Sequence, residues 1–454
     1  MAAANKLYET DANLKITILE ASDRCGGVIS SVRQGQLILE EGPDSILTQK
    51  PWALNLIKRL GLEKHVIETE KENRRTYVAW NGKLHALPDG FVMLAPTNFV
   101  SFFCSTLFSP IGKLRMALEK FLPAKDNDND ESLANFVRRR FGKEALERIA
   151  QPMIGGIYTA DPEKLSLKAT MPRFLDLEQK HGSVISGLMK SDRQASGARY
   201  SLFIALDQGL GLLVDTLVSK FSKSIRTNCA VSAIRKDKDG FITETKGGKT
   251  ILSDALIVAT PAHQASKLLT QIDKGLAEKL AQIDYAPSAV LNLVYDKSAV
   301  PPFKGFGFVV PAKEKSAIIA CTFVSQKYAG RVPDETVLIR VFMGGALAKD
   351  IYDLHDQELI ERAREELTKY LHIKAQPRQS KLTRYPKSMP QYHIGHITLI
   401  VDIHKLSDAY TNFALAGNYL CGPGIPDCIF TGENAANRVL EMLTLKGELQ
   451  SSIG

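Results

Sequence analysis

The sequence contains no long hydrophobic run and no closely spaced pair of cysteines. Its most apolar stretch, residues 99–109, is shorter than the roughly 18 residues that a membrane-spanning helix needs. The six cysteines are scattered, which is typical of a protein in a reducing compartment. The first residues are rich in alanine and then polar, so they do not look like a secretory signal peptide. These absences predict a cytoplasmic protein without a membrane-spanning helix.

Sequence motifs of several functional classes are also missing. There is no G-x-S-x-G nucleophile elbow and no motif of the common nucleic-acid-binding folds. His393 and His396 could hold a metal ion only with a third ligand, which their surroundings in the sequence do not offer. We therefore expect no metal site and no nucleic-acid binding, and we expect the two histidines to lie in a loop.

The charge balance favours an anionic partner. The chain has 58 Lys and Arg against 50 Asp and Glu, a net charge of +8 that is spread along its length. Such an excess attracts an acidic small molecule or a membrane surface. The apolar stretch 99–109 fits either a packed core or a patch at a membrane interface, and the sequence leaves both open.

Helical and strand patterns are mixed along the chain, as expected of an α/β protein. Helices are predicted at 1–10, 50–62, 356–371 and about 432–443, and over most of 90–195. Strands are predicted at 15–20, 36–39, 229–235, 240–246, 249–252, 255–261 and 413–416, in a β-rich region at 289–345, and in a hairpin at 74–88 that turns at Asn81-Gly82. The apolar run 255–261 is typical of a strand buried in a parallel sheet.

The first motif with candidate chemistry follows the strand 15–20. It reads Glu20-Ala21-Ser22-Asp23-Arg24-Cys25-Gly26-Gly27. An acid at the end of such a strand can accept hydrogen bonds from a ribose, and paired glycines let backbone N–H groups approach a phosphate. An ordinary strand and turn would account for the same residues.

Two further motifs combine glycine and proline. Glu40-Glu41-Gly42-Pro43-Asp44-Ser45 predicts a rigid turn with an exposed backbone. In the tail, Gly422-Pro423-Gly424-Ile425-Pro426-Asp427-Cys428-Ile429 joins a strand to a helix, and a helix N-terminus attracts partial negative charge. A simple turn and an ordinary β–α connection are the alternatives.

In this order the three motifs resemble the flavin amine oxidase type of protein. More narrowly, they resemble the oxygen-dependent porphyrinogen oxidases, that is, protoporphyrinogen oxidase and the flavin-type coproporphyrinogen III oxidase. The resemblance covers nearly the whole chain, and Gly-Ile-Pro-Asp-Cys-Ile is its most specific part. It implies a discontinuous Rossmann-like FAD domain at 1–48, 200–268 and 385–454, a β-rich substrate domain at 49–89 and 269–384, and a helical middle domain at 90–199.

The resemblance also implies FAD as the cofactor and assigns residues to it. Glu20 and Ala21 correspond to the ribose-binding pair, Arg24 and Gly27 to the loop around the cofactor, Gly42, Pro43, Asp44 and Ser45 to the segment lining the isoalloxazine, Val231 to the adenine contact, Tyr385 to an aromatic near the flavin, and Pro423, Gly424 and Ile425 to the last flavin contact. No catalytic side chain is implied, because the flavin carries the chemistry. Arg75 and Lys83 are candidate partners for substrate propionates.

The implied reaction is the oxidation of a porphyrinogen by dioxygen, in three two-electron steps that each yield peroxide. The implied partners are the porphyrinogen, dioxygen, the inner face of the cell membrane through the helical domain, a second copy of the chain and a downstream ferrochelatase. Two other interpretations stay open at this point: another flavin oxidase such as an amine oxidase or carotenoid desaturase, and a truncated paralogue without activity.

The chain also departs from the implied family at its start. The strand and Gly-x-Gly-x-x-Gly loop that seat the pyrophosphate do not occur in the sequence, a difference of about 15–20 residues. Our hypothesis is a misplaced start codon or an incomplete gene, and the chain as written is expected to bind FAD weakly. The genomic DNA upstream decides between these cases.

Overall fold

The computed structural model describes residues 1–92, 94–192, 201–238 and 240–451, and it confirms the expected α/β class. The helices are α1 Ala2–Thr10, α2 Trp52–Arg59, α3 Phe99–Cys104, α4 Pro110–Ala117, α5 Leu133–Arg140, α6 Lys143–Ala145, α7 Gln151–Tyr158, α8 Leu167–Thr170, α9 Pro172–His181, α10 Val184–Asp192, α11 Gly211–Lys220, α12 Ala262–Leu269, α13 Lys274–Ala281, α14 Val324–Lys327, α15 Lys349–Tyr352, α16 Asp356–Leu371, α17 His396–Asp408 and α18 Ile425–Ser451. Short 3₁₀ turns cover Glu63–His65, Leu118–Phe121, Lys297–Ala299 and Ala312–Glu314, and a π-helical turn covers Leu146–Ala150.

The strands gather into several sheets of different size. They are β1 Ile18–Leu19, β2 Ser31–Gln34, β3 Leu37–Glu40, β4 Ile46–Leu47, β5 Val66–Glu68, β6 Thr76–Trp80, β7 Lys83–Ala86, β8 Phe91–Val92, β9 Ala95–Pro96, β10 Phe203–Leu206, β11 Ile225–Arg226, β12 Val231–Lys236, β13 Phe241–Thr245, β14 Thr250–Ser253, β15 Leu256–Val258, β16 Tyr285–Asp296, β17 Gly307–Val309, β18 Ala320–Phe323, β19 Thr336–Gly344, β20 Gln379–Pro390 and β21 Phe413–Leu415.

The largest sheet has seven strands in the order β20-β16-β19-β18-β17-β6-β7. The long strand β16 pairs antiparallel with both β19 and β20, so that Val290 lies opposite Phe342 on one side and Thr383 on the other. Helix α16 packs against this sheet because it presents apolar side chains at helical spacing, among them Leu359 and Leu367, which are fully buried. This region forms one large apolar core.

Parallel strand pairs are built from segments that are far apart in the sequence. β1 pairs with β11 through Ile18 and Ile225, and β15 pairs with β21 through Ile257 and Ala414. Such pairs need crossover connections, which the helices supply. The predicted three-domain division stays a prediction. Strand β20 crosses its predicted boundary at 384/385, and the predicted boundary at 199/200 lies outside the described residues.

The region from α3 to α10 is helical, as predicted. Helix α5 begins after Ser132, whose hydroxyl accepts a hydrogen bond from the backbone N–H of Asn135 at 3.1 Å, a normal N-cap. The predicted apolar face of this helix is confirmed, since Phe136 and Phe141 are buried in the core of the helical region. Beside that core, the buried guanidinium of Arg140 forms an ion pair with the buried carboxylate of Glu119.

Most predicted elements are present, with shorter or shifted ends. The Asn81-Gly82 hairpin is confirmed: both residues have positive φ, at 49° and 70°, as a tight two-residue turn requires. The predicted strand 15–20 is regular only over β1, where it has a partner in β11. His396 lies in the first turn of α17 and not in a loop, whereas His393 precedes that helix.

The start of the last helix was predicted wrongly. The sequence suggested about residue 432, but α18 begins at Ile425. Pro426 does not prevent this, because the first turn of a helix needs no N–H donor from that residue. Gly432 lies in the middle of the helix, where a Cβ atom would stand 3.3 Å from Ala2, so its small size lets α1 pack closely against α18.

Replacing Glu119 by glutamine should destabilise the protein by about 3 kcal/mol, because it leaves the buried Arg140 without its main counter-charge. Glu119 also accepts backbone N–H bonds from Val184 at 2.9 Å and Ile185 at 3.3 Å. Urea unfolding measures the effect. Glu278→Gln is the control, since its exposed pair with Lys274 should contribute below about 0.5 kcal/mol. Equal effects of the two substitutions would contradict the prediction.

Candidate functional site

The first group of predicted site residues lies at the end of β1. Glu20 is held beside β11, since its N–H donates to the Arg226 carbonyl at 3.0 Å and its carbonyl accepts from Cys229 at 2.8 Å. Its Oε1 accepts from the backbone N–H and the hydroxyl of Ser22, at 2.9 and 2.8 Å. These bonds fix the carboxylate and leave Oε2 for a donor such as a ribose hydroxyl. Ala21 lies between Glu20 and Ser22 in the same turn.

Arg24 closes the loop that follows. Its guanidinium donates to the backbone carbonyls of Gly27 at 2.6 Å, Cys25 at 3.2 Å and Ile29 at 3.2 Å. A Cβ atom on Gly26 would lie 2.9 Å from the Ile29 carbonyl oxygen. Gly27 has φ of 58° and open space around it. Arg24 therefore fixes the conformation of the loop that the sequence predicts to contact the cofactor.

Val231, the residue assigned to the adenine, begins β12. It lies opposite Thr245, next to a register shift in the β12–β13 ladder. Two residues before it, Cys229 donates its N–H to Glu20. This backbone bond links the segment just before Val231 to Glu20, and the adenine contact of Val231 stays a prediction.

The second group is the turn 42–45, and it packs directly on the first loop. An ideal Cβ on Gly42 would lie 1.9 Å from the carbonyl oxygen of Val28, closer than any real contact. The hydroxyl of Tyr385 donates to the same oxygen at 3.5 Å. Gly42 and Tyr385 thus meet the loop that contains Gly27. The structure brings the first two motifs together through backbone contact.

The side chains of Asp44 and Ser45 contact residues on and next to the seven-stranded sheet. Asp44 lies 3.3 Å from Lys327 Nζ and 3.0 Å from Arg340 Nη1, and Lys327 also donates to the Ser45 hydroxyl at 2.8 Å. Burial opposes ionisation of Asp44, but Lys327 and Arg340 hold its pKa well below the ordinary value. Tyr328 donates to Ser45 at 2.7 Å. These bonds tie the turn to Lys327, Tyr328 and Arg340, and Arg340 also donates to the Gly42 carbonyl.

Sequence reasoning missed Lys327 and Arg340, which lie about 300 positions away from the turn. One signal was available for Arg340. It interrupts the apolar strand Thr336–Gly344, and a charge inside a buried strand needs a buried partner.

The third group lies where β21 leads into α18. The residues Pro423 and Gly424 precede the helix, and Ile425 is its first residue. Asp427, in the first turn, forms an ion pair with Lys50 at 2.6 Å. A Cβ on Gly422 would lie 2.4 Å from the Asp427 carboxylate, so a larger residue here would displace that carboxylate. The helix N-terminus is thereby held against the segment after β4.

Strand β20 connects the second and third groups. Tyr385 lies near the middle of this strand, and three residues later the Ser388 carbonyl accepts from the side chain of Asn418 at 3.2 Å. Beyond β20, the Tyr392 hydroxyl donates to the Asn418 carbonyl. His396 donates through Nε2 to the Tyr419 carbonyl at 3.0 Å, and burial lowers its pKa to about 4. This neutral histidine supports the Gly-rich loop.

Comparison with known proteins places this site in a family. Residues 1–440 match the flavin-containing amine oxidoreductases. The chain belongs to this family. It is 34% identical over 446 residues to the coproporphyrinogen III oxidase of Bacillus subtilis (strain 168), across 96% of this chain and 94% of that protein. It is 32% identical over 462 residues to the same-named enzyme of Staphylococcus aureus, across 98% and 97%.

A solved structure from Exiguobacterium sp. 255-15, provisionally described as a protoporphyrinogen oxidase, is also similar. Its TM-score is 0.86 at 27% identity, over 96% of this chain and 95% of that one. These comparisons confirm the predicted family and the predicted cofactor. The protein is a flavin-dependent oxidoreductase, and its cofactor is FAD.

The residues of this oxidoreductase fit FAD by their chemistry. The Glu20 carboxylate can accept from a ribose, and the glycines at 26 and 42 leave no room for a side chain. The N-terminus of α18 suits a group that gains negative charge. Among the described residues, the buried hydroxyls of Thr260 and Tyr419 have no hydrogen-bond partner. Thr260 follows β15, at the carboxyl end of a parallel strand, where nucleotides bind in such sheets.

Three further sets of residues lie outside these groups: two thiols, the candidate metal ligands and the candidate propionate partners. Burial raises the pKa of Cys421 to about 11 and that of Cys428 to about 12, so both thiols stay protonated at neutral pH. In residues 1–92, 94–192, 201–238 and 240–451, no three His, Cys, Asp or Glu side chains form a group that could hold a metal ion. Arg75 and Lys83 are exposed at opposite ends of the β6–β7 hairpin, so they cannot serve one propionate together.

Gly42→Ala should abolish FAD uptake, because the added methyl group forces the turn 42–45 away from Val28. Flavin absorbance per purified polypeptide after incubation with excess FAD measures it. Gly247→Ala is the matched control, since a Cβ there comes no nearer than 3.9 Å to the Thr245 hydroxyl, and this variant should bind FAD like the parent. Normal uptake by Gly42→Ala would show that the turn does not contact the cofactor.

Proposed function

We propose that this enzyme oxidises coproporphyrinogen III to coproporphyrin III in haem synthesis. The observation that carries the proposal is the near full-length match to two coproporphyrinogen III oxidases, at 34% and 32% identity. The structure described as a protoporphyrinogen oxidase is 27% identical. The sequence alone left both porphyrinogens open, and the higher identity favours the substrate with four propionates.

The reaction removes six electrons from the macrocycle. One porphyrinogen and three dioxygen molecules give one porphyrin and three hydrogen peroxide molecules, so hydrogen and electrons balance. FAD, when bound, accepts hydride equivalents from carbon and passes the electron pairs to dioxygen. The residues of the chain bind and orient the cofactor and the substrate. The walls of the cofactor site are formed by the turn 42–45, Tyr385 and the N-terminus of α18. The net charge of +8 favours an acidic substrate.

Anaerobic mixing with each porphyrinogen tests the substrate. Coproporphyrinogen III should bleach the flavin at least about tenfold faster than protoporphyrinogen IX, and a hydrophobic amine should not bleach it. In air, the yield should be three peroxides per porphyrin. Faster bleaching by protoporphyrinogen IX would reverse the assignment. Bleaching only by the amine would favour an amine oxidase, and a protein that takes up no FAD would favour the non-catalytic alternative.

We also propose that the enzyme contacts an anionic membrane surface through a patch on α3, α4 and the 3₁₀ turn after α4. The described residues include no helix with the length and apolar character to cross a bilayer. The stretch 99–109 is partly core, since Phe102 is fully buried, and partly surface. The apolar patch consists of the exposed residues Val100, Phe103, Ile111, Leu114, Leu118 and Phe121.

Lysines hold this apolar patch together and border it. Lys113 donates to the Phe103 carbonyl at 2.7 Å, and Lys120 lies 4.8 Å from the centre of the Phe99 ring. Ile111 and Phe121 are about as exposed as side chains in an unfolded chain, at 82% and 81%. Exposed apolar groups rimmed by lysine are typical of proteins that insert into a membrane interface.

The double substitution Ile111→Asp and Phe121→Asp should reduce binding to phosphatidylglycerol vesicles by at least about tenfold, because it places charge in the inserting surface. Vesicle co-sedimentation measures it. Leu252→Asp, at an exposed apolar residue on β14, is the control and should not change binding. Equal binding by all three proteins would show that the patch does not meet the membrane. Homodimer formation and contact with a ferrochelatase stay predictions.

A further inference from the structure

A cluster of buried charges lies behind the turn 42–45. We call it the cationic cluster, and its members are Lys327, Arg331 and Arg340 with the carboxylates Glu40 and Asp44. Arg331 and Arg340 are almost completely buried, as is Glu40. Arg331 forms an ion pair with Glu40, and both Lys327 and Arg340 form ion pairs with Asp44.

The cationic cluster contains three cations and two carboxylates, so it has one excess positive charge. The neighbouring acid Glu41 has its own cation in Lys381 at 3.2 Å and does not change the balance. Among the described residues, Arg331 Nε and Nη1 and Arg340 Nε have no hydrogen-bond acceptor. Burying an uncompensated charge is costly, so the excess needs a physical reason.

Two of the three cations are enough to balance the two carboxylates. Arg340 donates to the Gly42 carbonyl and reaches Asp44 at 3.0 Å, and Arg331 bonds Glu40, whose other oxygen accepts from Ser31. Those two pairs are neutral, and the Arg340 pair already ties the turn to β19. Lys327, at the end of α14, adds the third charge. The excess can therefore be assigned to Lys327.

We propose that the charge of Lys327 stabilises the negative charge that develops beside the turn 42–45 when FAD accepts electrons, and thereby raises the reduction potential of the enzyme. This inference rests on the proposed placement of the flavin ring against that turn. A unit charge at about 10 Å, at an effective dielectric constant of about 20, changes such an equilibrium by roughly tenfold. For a two-electron couple, tenfold corresponds to about 30 mV.

Three variants separate the effect of the Lys327 charge from the structural effect of its side chain. Lys327→Met removes the charge, keeps the side-chain stem, and leaves the Arg331–Glu40 and Arg340–Asp44 pairs balanced. Lys327→Arg keeps the charge. Lys279→Met is the control, since it removes the same formal charge from a partly exposed pair between Lys279 of α13 and Asp402 of α17. The midpoint potential of each FAD-loaded protein is measured by equilibration with a reference dye, without porphyrinogen, and thermal unfolding monitors folding.

Lys327→Met should lower the equilibrium constant for flavin reduction about tenfold, or about 30 mV, while Lys327→Arg and Lys279→Met keep the parent value. If Lys327→Met does not fold, Lys327→Gln replaces it. Equal decreases in Lys327→Met and Lys327→Arg would overturn the proposal in favour of a purely structural role. No change in any variant would also overturn it.

Tyr385→Phe distinguishes the two ways of failing. If the potentials are unchanged but Tyr385→Phe alters the flavin absorption spectrum, the ring lies at the turn and only the electrostatic proposal fails. If the spectrum is also unchanged, the ring does not lie at the turn, and the electrostatic proposal, which depends on that placement, fails as well. Oxidation of coproporphyrinogen III is measured separately, so neither result bears on the substrate.

Discussion

Gly42 lies so close to the carbonyl oxygen of Val28 that a methyl group in place of its hydrogen would nearly overlap that oxygen. This backbone contact extends the pairing of the β2–β3 hairpin beyond Ser31 and Glu40, and it joins the loop after β1 to the turn after β3. Tyr385 reaches the same oxygen from the large sheet. Because three elements meet at one atom, their positions relative to one another depend on glycine at this position.

The surroundings of that contact are polar and buried, which is unusual for a core. Arg340 holds the Gly42 carbonyl, and Asn292 of β16 holds the Glu40 carbonyl at 3.0 Å. Charged hydrogen bonds fix position more narrowly than apolar packing does. The large sheet therefore sets where the turn lies, while the sheet itself is stabilised by its apolar core. Polar and charged residues thus fix the position of the turn, whereas apolar residues stabilise the sheet.

Local features were largely predictable from the sequence. The hairpin at Asn81-Gly82, the amphipathic helix α16 and the buried face of α5 follow from turn chemistry and apolar spacing, and all were confirmed. The start of α18 was wrong because a Gly/Pro-rich segment indicates a loop unless the tertiary fold makes its first turn helical. Lys327 and Arg340 were missed because their partners lie far away in the sequence, and only folding brings them to Asp44. The placement of the individual cofactor contacts stays a prediction.

The central claim is that FAD lies across the crevice from Glu20 to the N-terminus of α18. A crystal structure of the FAD-loaded enzyme tests it most directly. The account predicts a ribose hydroxyl within hydrogen-bond distance of Glu20 and an isoalloxazine in contact with both Gly42 and Gly424. A nucleotide bound away from Glu20, or a ring that touches neither glycine, would contradict it.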